Sequence, residues 1–508
     1  MCCKQEESKD LIGGENVDNP ASKKVQNMTE LTTKLDENVA FLREALGVGK
    51  SFDVIHRELE FGGRKFGLFF VDGFAKDDVM NVITIHLAKL DREQLAPDAV
   101  SKLIKTHIGY LEVEKVKEMD KIISSVLAGP LALVIDGSDE ALMIDARTYP
   151  ARSPDEPDIE RVVRGARDGF TETLIFNTAL TRRRLRDPSL RMEYMQVGKR
   201  SKTDVVVSYL EDIADPELVQ DIKDRIEKIE IDGVPMAEKS IEEFIFDKNW
   251  NPFPMVRYTE RPDVAAVHLL EGHVLVYTDT SPSVMITPTT FFHHVQHAEE
   301  YRQKPVVGAY LRWVRFIAML ASVFILPLWM LVVFEPQLLP KELEYIGVNK
   351  PGNIPLLVQI LFAEIGIDAL RMAAIHTPSS LATALGLIAA LMIGQVAVEV
   401  GLLSNEVILY ISIAAIGTFA TPSYEFSLAT RIVRLTLLFA VAFFHLPGFI
   451  MATAVWFVLL MFTKSLGTPY LWPLLPLNAR ALLDIIVRSP VPAKTKRPKI
   501  LNPQDPTR

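Results

Sequence analysis

Cysteine is almost absent from the chain. Of its 508 residues, only Cys2 and Cys3 are cysteine, so no disulfide can join folded segments and the protein need not fold in an oxidising compartment. No apolar run precedes this pair, and we therefore expect neither a secretory nor a lipoprotein signal. Residues 1–36 are polar and predict a disordered tail.

The sequence also lacks the common motifs of enzymes. It contains no glycine-rich dinucleotide or phosphate loop, no His-Glu-x-x-His and no Gly-x-Ser-x-Gly, which predicts a protein that is not an enzyme and carries no cofactor. His293 and His297 would share one face of a helix, but a third ligand is not evident, and we predict no metal site. The net charge of −9 excludes a general nucleic-acid-binding protein, which is normally basic.

Charged residues are scarce in the C-terminal third. Residues 1–305 are rich in Asp, Glu, Lys and Arg, whereas residues 314–463 hold long apolar runs, a composition typical of bilayer-embedded helices. We predict an α+β soluble N-terminal region with two subdomains, followed by an α-helical polytopic membrane domain. The predicted bounds are 37–150 and 151–305 for the subdomains, 306–475 for the membrane domain and 476–508 for a cytoplasmic tail.

Short patterns predict the elements of the soluble region. Apolar runs joined by Gly-containing turns are typical of β-hairpins, and an apolar period near 3.6 residues predicts helices. The predicted hairpins pair residues 52–60 with 65–71, 131–135 with 141–145, and 264–269 with 274–277. The predicted helices cover residues 77–89, 159–167, 170–186 and 215–229.

Long apolar runs predict the membrane helices. Clear spans are predicted over residues 316–334, 381–403 and 407–422. Residues 432–462 are too many for one ordinary span, and Pro447 predicts either a kinked helix or two short helices in a re-entrant hairpin. Residues 356–375 are ambiguous because they carry three charges. Basic residues flank the first and last spans, so both termini are predicted to be cytoplasmic, with four or six crossings.

Polar residues inside these apolar segments are candidates for an ion pathway. Glu364, Asp368 and Arg371 share one face of a helix, as do Gln395 and Glu399 in another segment. Charges at bilayer depth are costly and must face protein or water. The alternative function for each is structural: an intramolecular salt bridge that holds helices together.

Arginine is concentrated in residues 161–186 of the soluble region. Guanidinium groups bind phosphates and acidic lipids, and they also pair with carboxylates across interfaces. Because the protein is acidic overall, we favour a domain or subunit interface over anion binding.

Several segments resemble the A subunits of the GerA-type spore germination receptors of endospore-forming bacteria. They are SPDEP at 153–157, VVRGARDGFTET at 162–173, NTALTRRRLRDP at 177–188, VGKRSKT at 197–203, ERPDV at 260–264, LLEGH at 269–273 and PTTFF at 288–292. The segment GTPYLWP at 467–473 resembles one branch of the family that is not encoded together with the other receptor subunits. The family's arginine-rich motif maps onto the candidate interface residues Arg164, Arg167, Arg182, Arg183 and Arg184.

The resemblance implies a multi-pass protein of the inner spore membrane whose soluble domain faces the spore core. It also implies a homo-oligomeric ion channel that releases monovalent cations and promotes or amplifies germination, without direct nutrient binding in this branch. The implied partners are further copies of the chain, other germination membrane proteins, the lipid bilayer and monovalent cations, but no nucleic acid. A non-conducting scaffold for germination receptors and a secondary transporter are the alternatives; the sequence shows no internal repeat that a transporter would favour.

Overall fold

The computed structural model describes residues 28–74, 77–88, 113–145, 160, 162–246, 250–347, 353–376 and 396–507. Most of the predicted tail, the SPDEP segment and most of the predicted span over residues 381–403 lie outside the described residues. The chain divides into two compact units. The first comprises Met1–Pro150 with Arg186–Ser189, and the second comprises Ala151–Leu185 with Leu190–Arg508.

The first unit is built on a five-stranded antiparallel sheet with strand order β1-β2-β4-β5-β3. Its elements are α1 (Leu35–Ala45), β1 (Val54–Phe61), β2 (Arg64–Val71), α2 (Asp77–Ala88), β3 (Val113–Val116), α3 (Met119–Ala128), β4 (Leu131–Ile135) and β5 (Ala141–Ile144). The hairpins β1–β2 and β4–β5 confirm two of the three predicted hairpins.

Both faces of this sheet are covered. Phe66, Leu68 and Phe70 alternate along β2 and pack in one cluster with Ile83 and Leu87 of α2, because successive side chains of a strand point to opposite faces. On the other face, a Cβ built on Gly67 would lie 3.0 Å from Cγ2 of Val39 in α1. A strand buried on both sides has few polar positions, which explains the apolar composition of β2.

The second unit begins with another five-stranded antiparallel sheet, in the order β6-β7-β9-β10-β8. Its elements are α4 (Leu174–Arg184), β6 (Leu190–Val197), β7 (Thr203–Leu210), α5 (Pro216–Glu227), α6 (Ala237–Ile245), β8 (Arg257–Thr259), α7 (Pro262–Glu271), β9 (Val274–Thr278) and β10 (Val284–Thr287). Its core joins Val205, Val207 and Val276 of the sheet to Ile222 and Ile226 of α5.

Two sequence predictions for this unit are wrong. Residues 264–269 were expected in a hairpin but form part of helix α7, which has Pro262 in its first turn and ends at Gly272 with φ 101°; Pro at the start and Gly after the end are typical of helices. Strand β9 instead pairs with β7 and β10. The described residues of 159–167 are not helical, because their backbone is used elsewhere: the guanidinium of Arg261 donates to the carbonyl oxygens of Glu160 and Ala166.

Helix α5 begins at a side-chain cap. The Oδ1 atom of Asp215 accepts a hydrogen bond from the backbone N–H of Glu217 at 3.0 Å, and Pro216 occupies the first turn. An acidic cap satisfies one of the free N–H groups at the end of a helix and interacts favourably with its dipole.

Asp215→Ala is expected to lower the stability of the full-length protein by about 1 kcal/mol, since no other side chain replaces the cap. Thermal denaturation in detergent measures the loss. Asp215→Asn, which keeps a capping oxygen, is the matched control and should lie within about 0.5 kcal/mol of the unchanged protein. Equal losses in both variants would contradict a capping role.

Long apolar helices follow the second sheet within the same unit. A 3-10 turn (Phe291–His294) and the short helix α8 (Ala298–Arg302) come first. The long helices are α9 (Pro305–Phe334), α10 (Leu356–His376), α11 (Asn405–Phe419) and α12 (Tyr424–Phe462), and the short helix α13 (Ala479–Ile486) follows them. In the part of the chain that the structure describes, α9 and α12 are long and apolar enough to cross a membrane. The order of an α+β region followed by helices confirms the coarse fold class; the polytopic membrane domain stays a prediction.

Helix α12 reverses direction at His445. The backbone there has φ 53° and ψ −137°, which breaks the helix. The indole Nε1 of Trp456 donates to Oγ1 of Thr436 at 2.7 Å, although residues twenty positions apart in a straight helix would be separated by about 30 Å. A Cβ on Gly448 would lie 2.2 Å from the carbonyl oxygen of Ala440. The two halves therefore run antiparallel, as in a helical hairpin and not a kinked helix; that the hairpin is re-entrant in a membrane stays a prediction.

The C-terminal segment returns to the second sheet. Oγ of Ser465 donates to the carbonyl of Met255 at 2.7 Å, and Leu466 packs against the core of that sheet. Farther on, the side-chain amide of Gln504 donates to the carbonyl oxygens of Glu211 and Ala214. The second sheet and the end of the chain thus form one structure, with the long helices inserted between them.

Candidate functional site

A cluster of charged side chains is buried between α10 and α12. Oε2 of Glu364 accepts hydrogen bonds from Nε and Nη2 of Arg431 at 3.2 and 3.1 Å, and from Nη2 of Arg434 at 3.0 Å. Oε1 of Glu364 lies 2.7 Å from Nε of Arg434 as an ion pair, although the two atoms are not aligned for a hydrogen bond. Glu364 and Arg434 are both 2% exposed, so this carboxylate is neutralised inside the protein.

Asp368 extends the cluster toward one end of α10. Its Oδ1 pairs with Nη1 of Arg431 and lies 3.0 Å from Nη2 of Arg371 one turn along α10. The Arg371 guanidinium also lies over the ring of Tyr424, 5.7 Å from its centroid. The cluster therefore contains two carboxylates and three guanidinium groups.

The cluster connects four helices. Besides its pairing with Glu364, Arg434 donates to the backbone carbonyl of Ser322 in α9 and to Oγ1 of Thr418 in α11 at 3.3 Å. Helices in a low-dielectric environment gain orientation from such contacts because each buried polar group needs a partner. These contacts hold α9, α10, α11 and α12 in one packing arrangement, and we call the cluster the polar lock.

The sequence predicted that Glu364, Asp368 and Arg371 share a face, and the structure places them together. Within a single chain, these side chains form intramolecular salt bridges, which was one of the two roles considered for them. Their role in an ion pathway stays a prediction. The partners Arg431 and Arg434 were not predicted. Their spacing of three residues within an apolar run was a signal that both face one side of a helix, but it could not identify the opposite helix.

The second pair of candidate residues is only partly described. Gln395 lies outside the described residues. Glu399 ends a short helical turn, Ala397–Glu399, and its side chain is exposed. In the part of the chain that the structure covers, no ion pair of Glu399 is found.

The five candidate interface arginines have different environments. Arg182 is buried, and its Nη2 donates to the carbonyl of Leu190 at 3.0 Å. Arg184 forms a salt bridge with Asp168 at 2.6 Å. The other three, Arg164, Arg167 and Arg183, are exposed. Their role at a subunit interface stays a prediction.

A second buried charge network joins the start of α9 to the preceding segment. Nε of Arg312 donates to Oε2 of Glu300 at 2.6 Å, Arg315 pairs with the other oxygen of Glu300, and Arg312 also donates to the carbonyls of Asp484 and Ile485. Both arginines are among the basic residues that flank the first predicted span. Because Glu300 and Arg312 are at most 1% exposed, they are a fixed buried ion pair rather than free surface charges.

The histidines considered as a metal pair are not on one helix. His293 belongs to the 3-10 turn, where its Nδ1 accepts a hydrogen bond from the backbone N–H of Thr290. His297 caps α8 by accepting from the backbone N–H of Glu299 at 3.2 Å. Burial lowers the pKa of His297 to about 4, so it is neutral at pH 7, as a capping acceptor must be.

Two five-stranded antiparallel sheets and the helices packed on them are followed by long apolar helices with buried ion pairs. The protein therefore combines a folded polar region with a region of helices that are long enough for a bilayer. The model of the family described as Bacillus/Clostridium GerA spore germination protein matches residues 40–500. The chain belongs to this spore germination family, as its motifs predicted.

The chain is 50% identical over 469 residues to Stage V sporulation protein AF of Bacillus subtilis (strain 168), covering 92% of this chain and 95% of that protein. It is 29% identical to Spore germination protein KA of the same strain, covering 94% and 88% of the two chains. Among solved structures, it matches the N-terminal domain of the A subunit of the Bacillus megaterium spore germinant receptor GerK3 with 26% identity and a TM-score of 0.41, over 52% of this chain and 99% of that one.

Proposed function

We propose that this protein is a homo-oligomeric channel of the inner spore membrane that releases monovalent cations and so promotes or amplifies germination. Membership of the germination family supports the process. The observation that carries the channel mechanism is Glu399, an exposed carboxylate without an ion pair in the described part of an otherwise apolar segment.

An unpaired carboxylate at the end of a membrane helix is costly next to lipid and favourable next to water. Ala397 packs in the helical core with Leu326 and Trp329, whereas Glu399 and its neighbour Val400 are exposed. In a ring of identical subunits, one carboxylate from each would surround a shared axis. Such rings attract cations and repel anions.

Large exposed apolar side chains support an environment of lipid and neighbouring subunits. Phe443, Met451 and Phe462 of α12 are 70%, 63% and 73% exposed, and Ile317 of α9 is 61% exposed. A water-soluble monomer rarely exposes so much contiguous apolar surface. The same surface is expected for helices that face acyl chains or pack against a second copy.

The described helix ends favour six crossings over four. Glu335 at the end of α9 lies beside the hairpin turn, where its carboxylate accepts from the backbone N–H of Leu446 at 3.4 Å. At the opposite end, Thr463 accepts a hydrogen bond from the side chain of Asn251 at 2.8 Å, so α12 leaves the second sheet and returns to it. An even count places both termini on one side, and the basic residues that flank the first and last spans make this the core side. The exposed Arg164, Arg167 and Arg183 would then pair with acidic residues of neighbouring soluble domains.

Glu399→Gln is expected to reduce potassium flux through reconstituted liposomes on the order of ten-fold and to weaken the selectivity for potassium over chloride, because it removes the charge that concentrates cations. Flux and reversal potentials measure both effects. Asp368→Asn, which alters a carboxylate already paired with arginines, is the comparison and should affect stability more than selectivity.

Three outcomes separate the candidate functions. Unitary currents that depend on Glu399 support the channel, whereas saturable uptake coupled to a solute would indicate a transporter. No flux from any preparation with intact oligomers would indicate the scaffold.

A further inference from the structure

Three histidine rings meet in the second unit, away from the charge cluster of the helices. They are His268 near the end of α7, His273 just before β9, and His293 in the 3-10 turn. Their ring centroids are 5.1, 5.1 and 5.8 Å apart, and one ring nitrogen from each lies within 4.8 Å of the others. His268 and His273 are 8% and 0% exposed.

Local structure brings His273 over His268. Gly272 takes the left-handed conformation after α7, and its N–H donates to the carbonyl of Leu269 at 3.0 Å, while the N–H of His273 donates to that of His268 at 3.1 Å. This is the pair of hydrogen bonds of a Schellman motif. The chain folds back over the last turn of the helix, so the two imidazoles are held near each other by the backbone.

The hydrogen bonds around these rings leave nitrogens available. Nδ1 of His268 lies 2.8 Å from the carbonyl of Val264, which fixes the proton on Nδ1 and leaves Nε2 as a free acceptor. Neither ring nitrogen of His273 has a hydrogen-bond partner of good geometry among the described residues, although the carbonyl of Pro288 is close enough to favour the protonated ring. A buried polar group without a partner is costly and calls for a ligand.

We propose that His268, His273 and His293 bind a divalent transition metal of the zinc class. Neutral imidazoles are preferred ligands of such metals, and a second-shell carbonyl like that of Val264 orients a ligating ring. In a tetrahedral site with metal–nitrogen distances of about 2.1 Å, ligand nitrogens are about 3.4 Å apart, so each ring must move inward by less than about 1 Å.

The protonation states at neutral pH suit this role. Burial lowers the pKa of His273 to about 4 and those of His268 and His293 well below their usual value, and the Arg257 guanidinium lowers all three further. The three imidazoles are therefore neutral in the metal-free protein.

Two features limit the affinity for the metal. The positive charge of Arg257 lies near the rings and disfavours a bound cation, although its salt bridge to Glu160 at 3.0 Å reduces this effect. His293 must also change tautomer: its Nδ1 now accepts from the N–H of Thr290, and on binding through Nε2 a protonated Nδ1 would donate to Oγ1 of Thr290, 3.2 Å away, which leaves the Thr290 N–H without this acceptor. We therefore expect micromolar rather than picomolar affinity. A cavity of about 310 Å³ that His268 and His293 line gives the metal a route and room for a fourth ligand.

Occupation of the site would join α7, β9 and the 3-10 turn that leads toward α9. The predicted consequence is stabilisation of the link between the second sheet and the long helices, because a ligand that binds only the folded state raises its stability.

Equilibrium dialysis of the full-length protein in detergent, purified without a histidine tag, tests the proposal with Co²⁺ as the probe. One equivalent of Co²⁺ should bind, show the visible absorption of tetrahedral coordination and be displaced by Zn²⁺. His273→Gln and His268→Gln should each weaken binding by at least about 30-fold. His56→Asn, which removes an imidazole from β1 of the first unit and lies outside the triad, is the control and should bind like the unchanged protein.

X-ray absorption of Zn²⁺ bound to the unchanged chain provides a measurement that needs no variant. It should show three imidazole nitrogens at about 2.0–2.1 Å. No stoichiometric binding up to about 1 mM, binding retained in both triad variants, or a first shell of oxygen ligands would each overturn the proposal.

Discussion

Glu364→Gln is expected to destabilise the helical region by about 3–5 kcal/mol, since removing one partner leaves buried charges uncompensated. Two guanidinium groups, those of Arg431 and Arg434, contact this single carboxylate, and Arg434 is 2% exposed. An amide of the same size can accept hydrogen bonds but cannot neutralise either charge. Thermal unfolding in detergent, followed by tryptophan fluorescence, measures the effect.

Glu399→Gln is the matched control for this experiment because it makes the same chemical change at an exposed position, and its melting temperature should be unchanged. A combined replacement of Glu364, Arg431 and Arg434 by Leu or Met should recover much of the lost stability, since exchanging a buried ion triad for apolar residues is often neutral and Asp368 keeps its pair with Arg371. A melting temperature of Glu364→Gln equal to that of the control would rule out the lock.

Gly417→Ala is expected to cost roughly 3 kcal/mol, at the upper end for an overpacked contact. A Cβ at this position would lie 2.1 Å from the carbonyl oxygen of Ala318 in α9 and 2.9 Å from the Cβ of Ser322. Backbone atoms of a neighbouring helix cannot move aside as a flexible side chain can, so α9 and α11 would have to separate. Detergent-based thermal unfolding and the yield of folded protein report the loss.

Gly366→Ala is the control, and it should act in the opposite direction. Gly366 is also within a helix, α10, and a Cβ there would meet no atom within 4 Å. Replacing glycine by alanine in a helix interior stabilises it by about 0.5–1 kcal/mol. Similar effects from the two substitutions would show that helix propensity, rather than the contact with Ala318, decides the outcome.

The sequence predicted elements well where one physical signal dominated. Gly62 and Gly63 between two apolar runs predicted the first hairpin, and Asp215-Pro216 predicted the start of α5. The run from residue 432 gave two alternatives, and the broken helix at His445 agreed with one of them. These signals are local, so no neighbouring element was needed to interpret them.

Errors arose where distant contacts override local preference. Residues 264–269 are an apolar run that suits a strand or a buried helix, and only packing decides between them. Around Glu160, the chain gives up helical hydrogen bonds because Arg257, Thr259 and Arg261 bind its side chain and carbonyl instead.

The candidate site was predicted in the same uneven way. The shared face of Glu364, Asp368 and Arg371 follows from spacing alone. Their pairing with Arg431, more than sixty positions away, depends on how helices pack, and sequence spacing contains no information about that. The histidine triad was missed for this reason too, since His268 and His273 become neighbours of His293 only through the Schellman turn and the adjacent strands.

The return of the chain from Thr463 to the second sheet has a consequence for biosynthesis. Ser465, Leu466 and Gln504 complete contacts with a sheet region that was translated earlier, by 210 residues for the Ser465 contact and 293 for the Gln504 contact with Glu211. While the ribosome is still producing the apolar helices, that part of the sheet stays uncovered, and it can be covered only after the last long helix has been synthesised. A nascent chain that stalls before the end would leave this surface available to proteases, which would let the cell remove incomplete chains.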